Sequence, residues 1–182
     1  MKKVTIGKLV IGLGLLVIGF GCKKYEDGPG LSLRTKKERA TAEWEIKSYT
    51  YNGVDALYSK YDNDLSCSGS GTIYYTTEYK TTRWIWNFKE NGDITEEYMS
   101  SYKSLDFDLS YDLCDDYYTT ENTTTLDKGT WQFSSNKEEM EIKFVSNPNV
   151  IWTFELKELR EKEMKLEGII DGEIVKITLS KK

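Results

Sequence analysis

From Trp44 onward the chain alternates apolar and polar residues with a period of two. Trp44, Ile46 and Ser48 alternate with Glu45, Lys47 and Tyr49, which predicts a half-buried strand ending at an Asn52-Gly53 turn. Trp84, Trp86 and Phe88 alternate with Arg83, Ile85 and Asn87, pass Asn91-Gly92, and resume as Ile94, Glu96 and Tyr98, which predicts a hairpin. Trp131 and Phe133 lead through Ser134-Ser135-Asn136-Lys137 to Met140, Ile142 and Phe144. Asn147-Pro148-Asn149, Arg160-Glu161-Lys162 and Asp171-Gly172 then separate three more strands, carrying Val150, Trp152, Phe154 and Leu156, then Met164, Leu166 and Ile170, then Val175, Ile177 and Leu179. Phe107, Leu109, Tyr111 and Leu113 alternate with Asp106, Asp108, Ser110 and Asp112, the pattern of another amphipathic strand, and Asp62-Asn63-Asp64 reads as a turn. Only residues 33–42 have a helical look, with Thr35 and Glu38 spaced for a capping box.

A meander of this kind leaves two open edges unless it closes on itself. The expected fold is therefore all-β: an up-and-down antiparallel barrel of 8–10 strands preceded by a short helix. Eight strands enclose a space that side chains can fill or that can hold one small ligand.

The N-terminus has a different pattern. Lys2, Lys3 and Lys8 precede an apolar run over residues 9–20 that ends in Gly21-Cys22. This is the charged, apolar and small-residue layout of a secretory signal, too short for a spanning helix of about 20 residues. Residues 18–22, Ile-Gly-Phe-Gly-Cys, resemble the lipobox of bacterial lipoproteins. The resemblance implies a signal peptide over residues 1–21 and a lipid on Cys22, with the lipid as membrane anchor. Residues 22–31 read as a charged, Gly-Pro-Gly-broken tether, leaving 32–182 as the barrel domain. Lys23 stands where an aspartate would, by analogy with enteric lipoproteins, favour the inner membrane; the expected address is the outer membrane, on its periplasmic or cell-surface side.

Composition narrows the chemistry. The chain has 25 basic and 30 acidic residues, interspersed and with no basic stripe, so no nucleic-acid partner is expected. It has no histidine, which removes Ser-His-Asp and Cys-His catalysis and every His-ligated metal site. Beside Cys22, Cys67 and Cys114 form an even pair. In an oxidising compartment a disulfide is the natural expectation, closing a loop of about 47 residues and contributing about 3 to 4 kcal/mol; two free buried thiols are the alternative.

The helix-strand opening of residues 32–53, with Ala42-Glu43-Trp44 and Tyr51-Asn52-Gly53, together with Gly129-Thr130-Trp131-Gln132-Phe133 and the hairpins after it, resembles small lipocalin-like lipoproteins of Gram-negative bacteria. Ala42 stands where the lipocalin Gly-x-Trp signature has glycine. The resemblance implies an up-and-down barrel with Trp44 at its floor and room for a small molecule, and it implies no catalytic residues.

Trp44, Trp84, Trp86, Trp131, Trp152 and Phe154 fall on apolar strand faces, where they either fill the barrel or line a pocket for a small hydrophobic ligand. Tyrosines crowd residues 49–118 and offer an outer face for protein or glycan. Asp106, Asp108, Ser110 and Asp112 sit at calcium-loop intervals, but Tyr111 and Tyr117 occupy positions that need glycine and glutamate. The expected function is non-enzymatic: a lipid-anchored barrel that binds a small hydrophobic molecule or acts as an accessory binding surface. An interaction protein using the Tyr-rich face is the alternative. No cofactor and no metal are expected.

Overall fold

A computed structural model describes residues 35–69, 71–134 and 137–182. The signal at 1–21, Cys22 and the tether at 22–31 lie outside the described residues. One short helix, α1 (Lys36–Ala40), leads into the strands β1 (Ala42–Tyr51), β2 (Val54–Asp55), β3 (Tyr58–Ser66), β4 (Thr72–Phe88) and β5 (Asp93–Leu105). A second helix, α2 (Phe107–Leu113), follows, and then β6 (Tyr118–Phe133), β7 (Glu139–Phe144), β8 (Trp152–Leu159), β9 (Glu163–Ile170) and β10 (Glu173–Lys181).

The strands pair in the order β2-β1-β10-β9-β8-β7-β6-β5-β4-β3, and β1 also pairs with β4. That extra pairing, Ala42 with Phe88 through Glu45 with Ile85, closes an eight-stranded antiparallel barrel from β1 and β4–β10. The expected barrel, the meander turns and the leading helix are all present. Thr35 caps α1 in a full capping box with Glu38, and positive φ at Asn52, Gly53, Asp171 and Gly172 marks the expected tight turns.

Three of the barrel strands are longer than the barrel. β4, β5 and β6 have 17, 13 and 16 residues, whereas β1 meets β4 only at its last few positions and β7 meets β6 only at Gly129–Phe133. Beyond those points β4, β5 and β6 continue, and β3 joins the flank of β4 from Tyr58–Lys80 to Ser66–Thr72. The result is a four-stranded platform, β3-β4-β5-β6, that projects from one end of the barrel. Asp62, Asn63 and Asp64 belong to β3, not to a turn, because their backbones pair with Thr76, Tyr75 and Tyr74.

The second correction is at residues 107–113, which form α2 and not a strand. Asp106 caps it by accepting from the Leu109 N–H at 3.2 Å, and Cys114 ends it in the left-handed region. The only residue of α2 that is buried is Ser110, whose hydroxyl bonds the Tyr117 N–H and C=O; Phe107, Leu109, Tyr111 and Leu113 are all exposed. The apolar alternation therefore marks no buried sheet face: local capping and the adjoining disulfide set the backbone instead.

Cys67 and Cys114 are joined, with their Cα atoms 5.4 Å apart and 47 residues apart in sequence. The bridge ties the β3–β4 turn to the end of α2. Gly71 must be glycine here, since a Cβ would lie 2.5 Å from the Cys114 sulfur.

Candidate functional site

The barrel interior holds the predicted aromatic residues, and they pack on one another. Trp44, Trp86, Trp131 and Phe154 are buried, while Trp84 and Trp152 are half-buried against the same cluster. Trp86 is the hub, with ring centroids of Trp84, Phe88, Phe144, Trp152 and Phe154 all within 6.5 Å. Such contacts, mostly edge-to-face or tilted, contribute about 0.5–1.5 kcal/mol each beyond the area they bury. Two of the indoles bond to the backbone: Trp44 donates to the Ala40 carbonyl at 2.8 Å and Trp131 to the Lys89 carbonyl at 2.9 Å. The first of these fixes α1 over the end of the barrel opposite the platform.

Trp84 and Trp86 share one acceptor, Oε1 of Glu96, at 2.6 and 2.8 Å. No motif marks Glu96 in the sequence; its spacing of two from Ile94 and from Tyr98 is the available signal, because it puts a carboxylate on the inward face. Burial raises the Glu96 carboxyl above the usual carboxylate range; the two indole hydrogen bonds pull it down but do not outweigh burial, and Asp127, directly across on β6, adds to the rise.

A pocket of about 630 Å³ lies against β5, β6 and β7. Lys89, Ile94, Thr95, Lys128, Lys143 and Phe144 are among its lining residues, and none of the six predicted interior aromatics is. Among the described residues, no three His, Cys, Asp or Glu side chains converge on a metal position.

Cross-strand partners share a face, so the register shows where the barrel's inner face goes when it reaches the platform. Phe88–Ile94, Trp86–Glu96 and Trp84–Tyr98 are inner pairs. A bulge between Thr81 and Arg83 shifts the register by one residue, and Thr81–Ser100 and Tyr79–Tyr102 continue the same face. β3 adds Ser59 beside Tyr79, Tyr61 beside Thr77 and Asn63 beside Tyr75. β6 adds Thr125, Thr123 and Glu121 beside Tyr98, Ser100 and Tyr102.

At the barrel mouth, Trp84 lies 5.0 Å from Tyr49 and 5.1 Å from Tyr98, ring to ring. Tyr51 follows Tyr49 on the same face of β1. Seven of the 13 tyrosines, Tyr49, Tyr51, Tyr61, Tyr75, Tyr79, Tyr98 and Tyr102, thus lie on the inner face or its continuation. Tyr58, Tyr74 and Tyr118 take the opposite face. The tyrosine-rich surface is therefore an extension of the barrel's inside, and its track from Trp84 to Tyr75 spans about 30 Å.

A scan against protein-family models finds no match, and searches of curated proteins and of solved structures find none either.

Proposed function

We infer that the protein is a lipid-anchored, non-enzymatic binding module in which the barrel is a filled scaffold and the tyrosine-lined platform takes a glycan. The observation that carries this is the run of half-exposed tyrosines with Ser, Thr and Asn between them on the continuation of the inner face. Sugar rings present apolar C–H faces and hydroxyl edges. Tyrosine rings take the faces at low entropic cost, and Ser59, Asn63, Thr77 and Thr81 supply partners for the hydroxyls. A small hydrophobic ligand inside the barrel has less support, since the residues that would line its site are in contact with one another around Trp86.

The anchor and the family likeness belong to the same proposal. The lipobox-like residues 18–22 support lipid on Cys22 and, with Lys23, an outer-membrane address. The short capped helix, the buried Trp44 and the closed eight-stranded barrel support the lipocalin-like reading.

Binding of the detergent-purified protein to an array of bacterial and host glycans tests the platform. Signal on a defined glycan class, lost in a Tyr79→Ala/Tyr102→Ala variant, is the expected result; equal signal from both proteins rejects the platform. Labelling of cells with a palmitate analogue tests the anchor, with incorporation expected in the wild type and absent in Cys22→Ala.

A further inference from the structure

The platform has two lateral edges, and they are guarded differently. The β3 edge carries Lys60, Asp62 and Asp64 within nine residues, the charge placement that natural sheets use against edge-to-edge pairing. The nine residues of β6 from Tyr118 to Leu126 carry one charge, Glu121, among five threonines, an asparagine and a leucine.

Backbone geometry shows what this second edge offers. At one end the Asp106 N–H donates to the Tyr117 carbonyl, and at the other the Trp131 N–H donates to the Gly92 carbonyl, each at 2.8 Å. Between them the β5–β6 register has no shift, so odd-numbered residues of β6 bond toward β5. Even-numbered residues point the other way: the Lys128 carbonyl accepts from the Val145 N–H at 2.7 Å. Pairing with β7 begins only at Gly129. Tyr118, Thr120, Asn122, Thr124 and Leu126 therefore direct their N–H and C=O groups outward, with no backbone partner among the described residues.

We propose that this edge pairs with the same edge of a second copy, antiparallel about a two-fold axis at Thr123. Residues 118–128 precede the pairing with β7, and Thr123 is their midpoint; since the Lys128 carbonyl is taken by Val145, the free outward groups paired in this register are those of Thr120, Asn122, Thr124 and Leu126. It sets Asn122 opposite Thr124, Thr120 opposite Leu126, Glu121 opposite Thr125 and Thr119 opposite Asp127. No like charges face each other, and Thr123 meets its own copy as a favourable threonine pair. Centring one residue later, on Thr124, sets Glu121 against Asp127 and is disfavoured. The arrangement is isologous and closed, so it yields a dimer and not a fibre. It joins two platforms into one eight-stranded sheet with both tyrosine tracks on the same side.

Cysteine cross-linking in intact membranes of cells making the full chain tests this, independently of any glycan. On a two-fold axis Thr123 meets its own copy as a non-hydrogen-bonded pair, with Cα atoms about 4.5 Å apart, within disulfide reach. Thr119 lies on the same strand and face but its copy is about 27 Å away. Mild oxidation of Thr123→Cys should give a reducible band of twice the mass in most of the protein, with little from Thr119→Cys. Adding Thr124→Pro, which removes an outward N–H and no β5–β6 bond, should abolish the band. Absence of the band in Thr123→Cys, or equal bands from both cysteine variants, overturns the proposal.

Discussion

β4, β5 and β6 pass through two environments along one continuous face, and the residues change where the environment changes. Within the barrel β4 turns Phe88, Trp86 and Trp84 inward, where strands from across the barrel complete their packing. Beyond the bulge the same face carries Thr81, Tyr79, Thr77 and Tyr75, with no strand among the described residues opposite to cover them and only the Phe107 ring of α2 against Tyr75. Closure therefore decides whether an inward side chain becomes core or surface. The barrel is held by apolar packing, whereas the platform depends on strand pairing and on one disulfide at its tip.

The largest effect should come from removing the hub of the barrel. Trp86→Ala deletes a fully buried side chain with five ring neighbours and should cost about 3–5 kcal/mol in urea unfolding. Hydrogen exchange should then rise across barrel and platform together; a rise confined to one region would mean that the two do not share a core.

Cys67→Ser/Cys114→Ser is the counterpart for the platform. Loss of a 47-residue loop closure should cost about 3–4 kcal/mol. Exchange should increase mainly in β3, α2 and the start of β6, while β7–β10 amides stay protected. Uniform loosening would erase the distinction between the two regions.

Gly129→Ala probes the junction where β6 leaves β7. A Cβ there would lie 2.1 Å from the Lys143 carbonyl oxygen, so the strands must separate, at about 1–3 kcal/mol in thermal or urea unfolding.

Glu96 reports on the mouth of the barrel through pH. Its folded carboxyl titrates above the unfolded one, so the folded state holds this proton more tightly. The proton's contribution is complete below the unfolded carboxylate range and is lost as pH rises through the folded value. Between pH 8 and pH 5 the wild type should gain more stability than Glu96→Gln; parallel urea midpoints for the two proteins would place Glu96 in contact with bulk water.

The smallest stability effect belongs to the platform surface. Tyr79→Ala/Tyr102→Ala should change unfolding free energy by about 1 kcal/mol or less, while removing glycan binding. A loss comparable to Trp86→Ala would show the tyrosines to be core.

Much of the fold was legible because strand alternation, Asn-Gly and Asp-Gly turns and the Thr35–Glu38 box are local signals, written in a few adjacent residues. They located the meander, the turns and α1, and the even cysteine pair pointed to its own bridge. The same rule failed at residues 107–113, where alternation was present but capping by Asp106 and the bond at Cys114 favoured a helix. It failed again at Asp62-Asn63-Asp64, whose turn-like composition is overridden by pairing along β4.

By itself the sequence determined which residues share a face along each uninterrupted stretch of strand, because side-chain direction there follows from chain geometry alone; the bulges that move Tyr49 to the face of Trp44 and keep Thr81 on the face of Trp84 are set by the pairing with β10 and β5. What lies opposite each face depends on partners far away in the chain. Only the tertiary structure decided that the tryptophans fill the barrel, that Glu96 binds two indoles, and that the tyrosines continue the barrel's inner face into the open. Those outcomes rest on the pairing of β1 with β4 at residues 85–88 and on where that pairing stops.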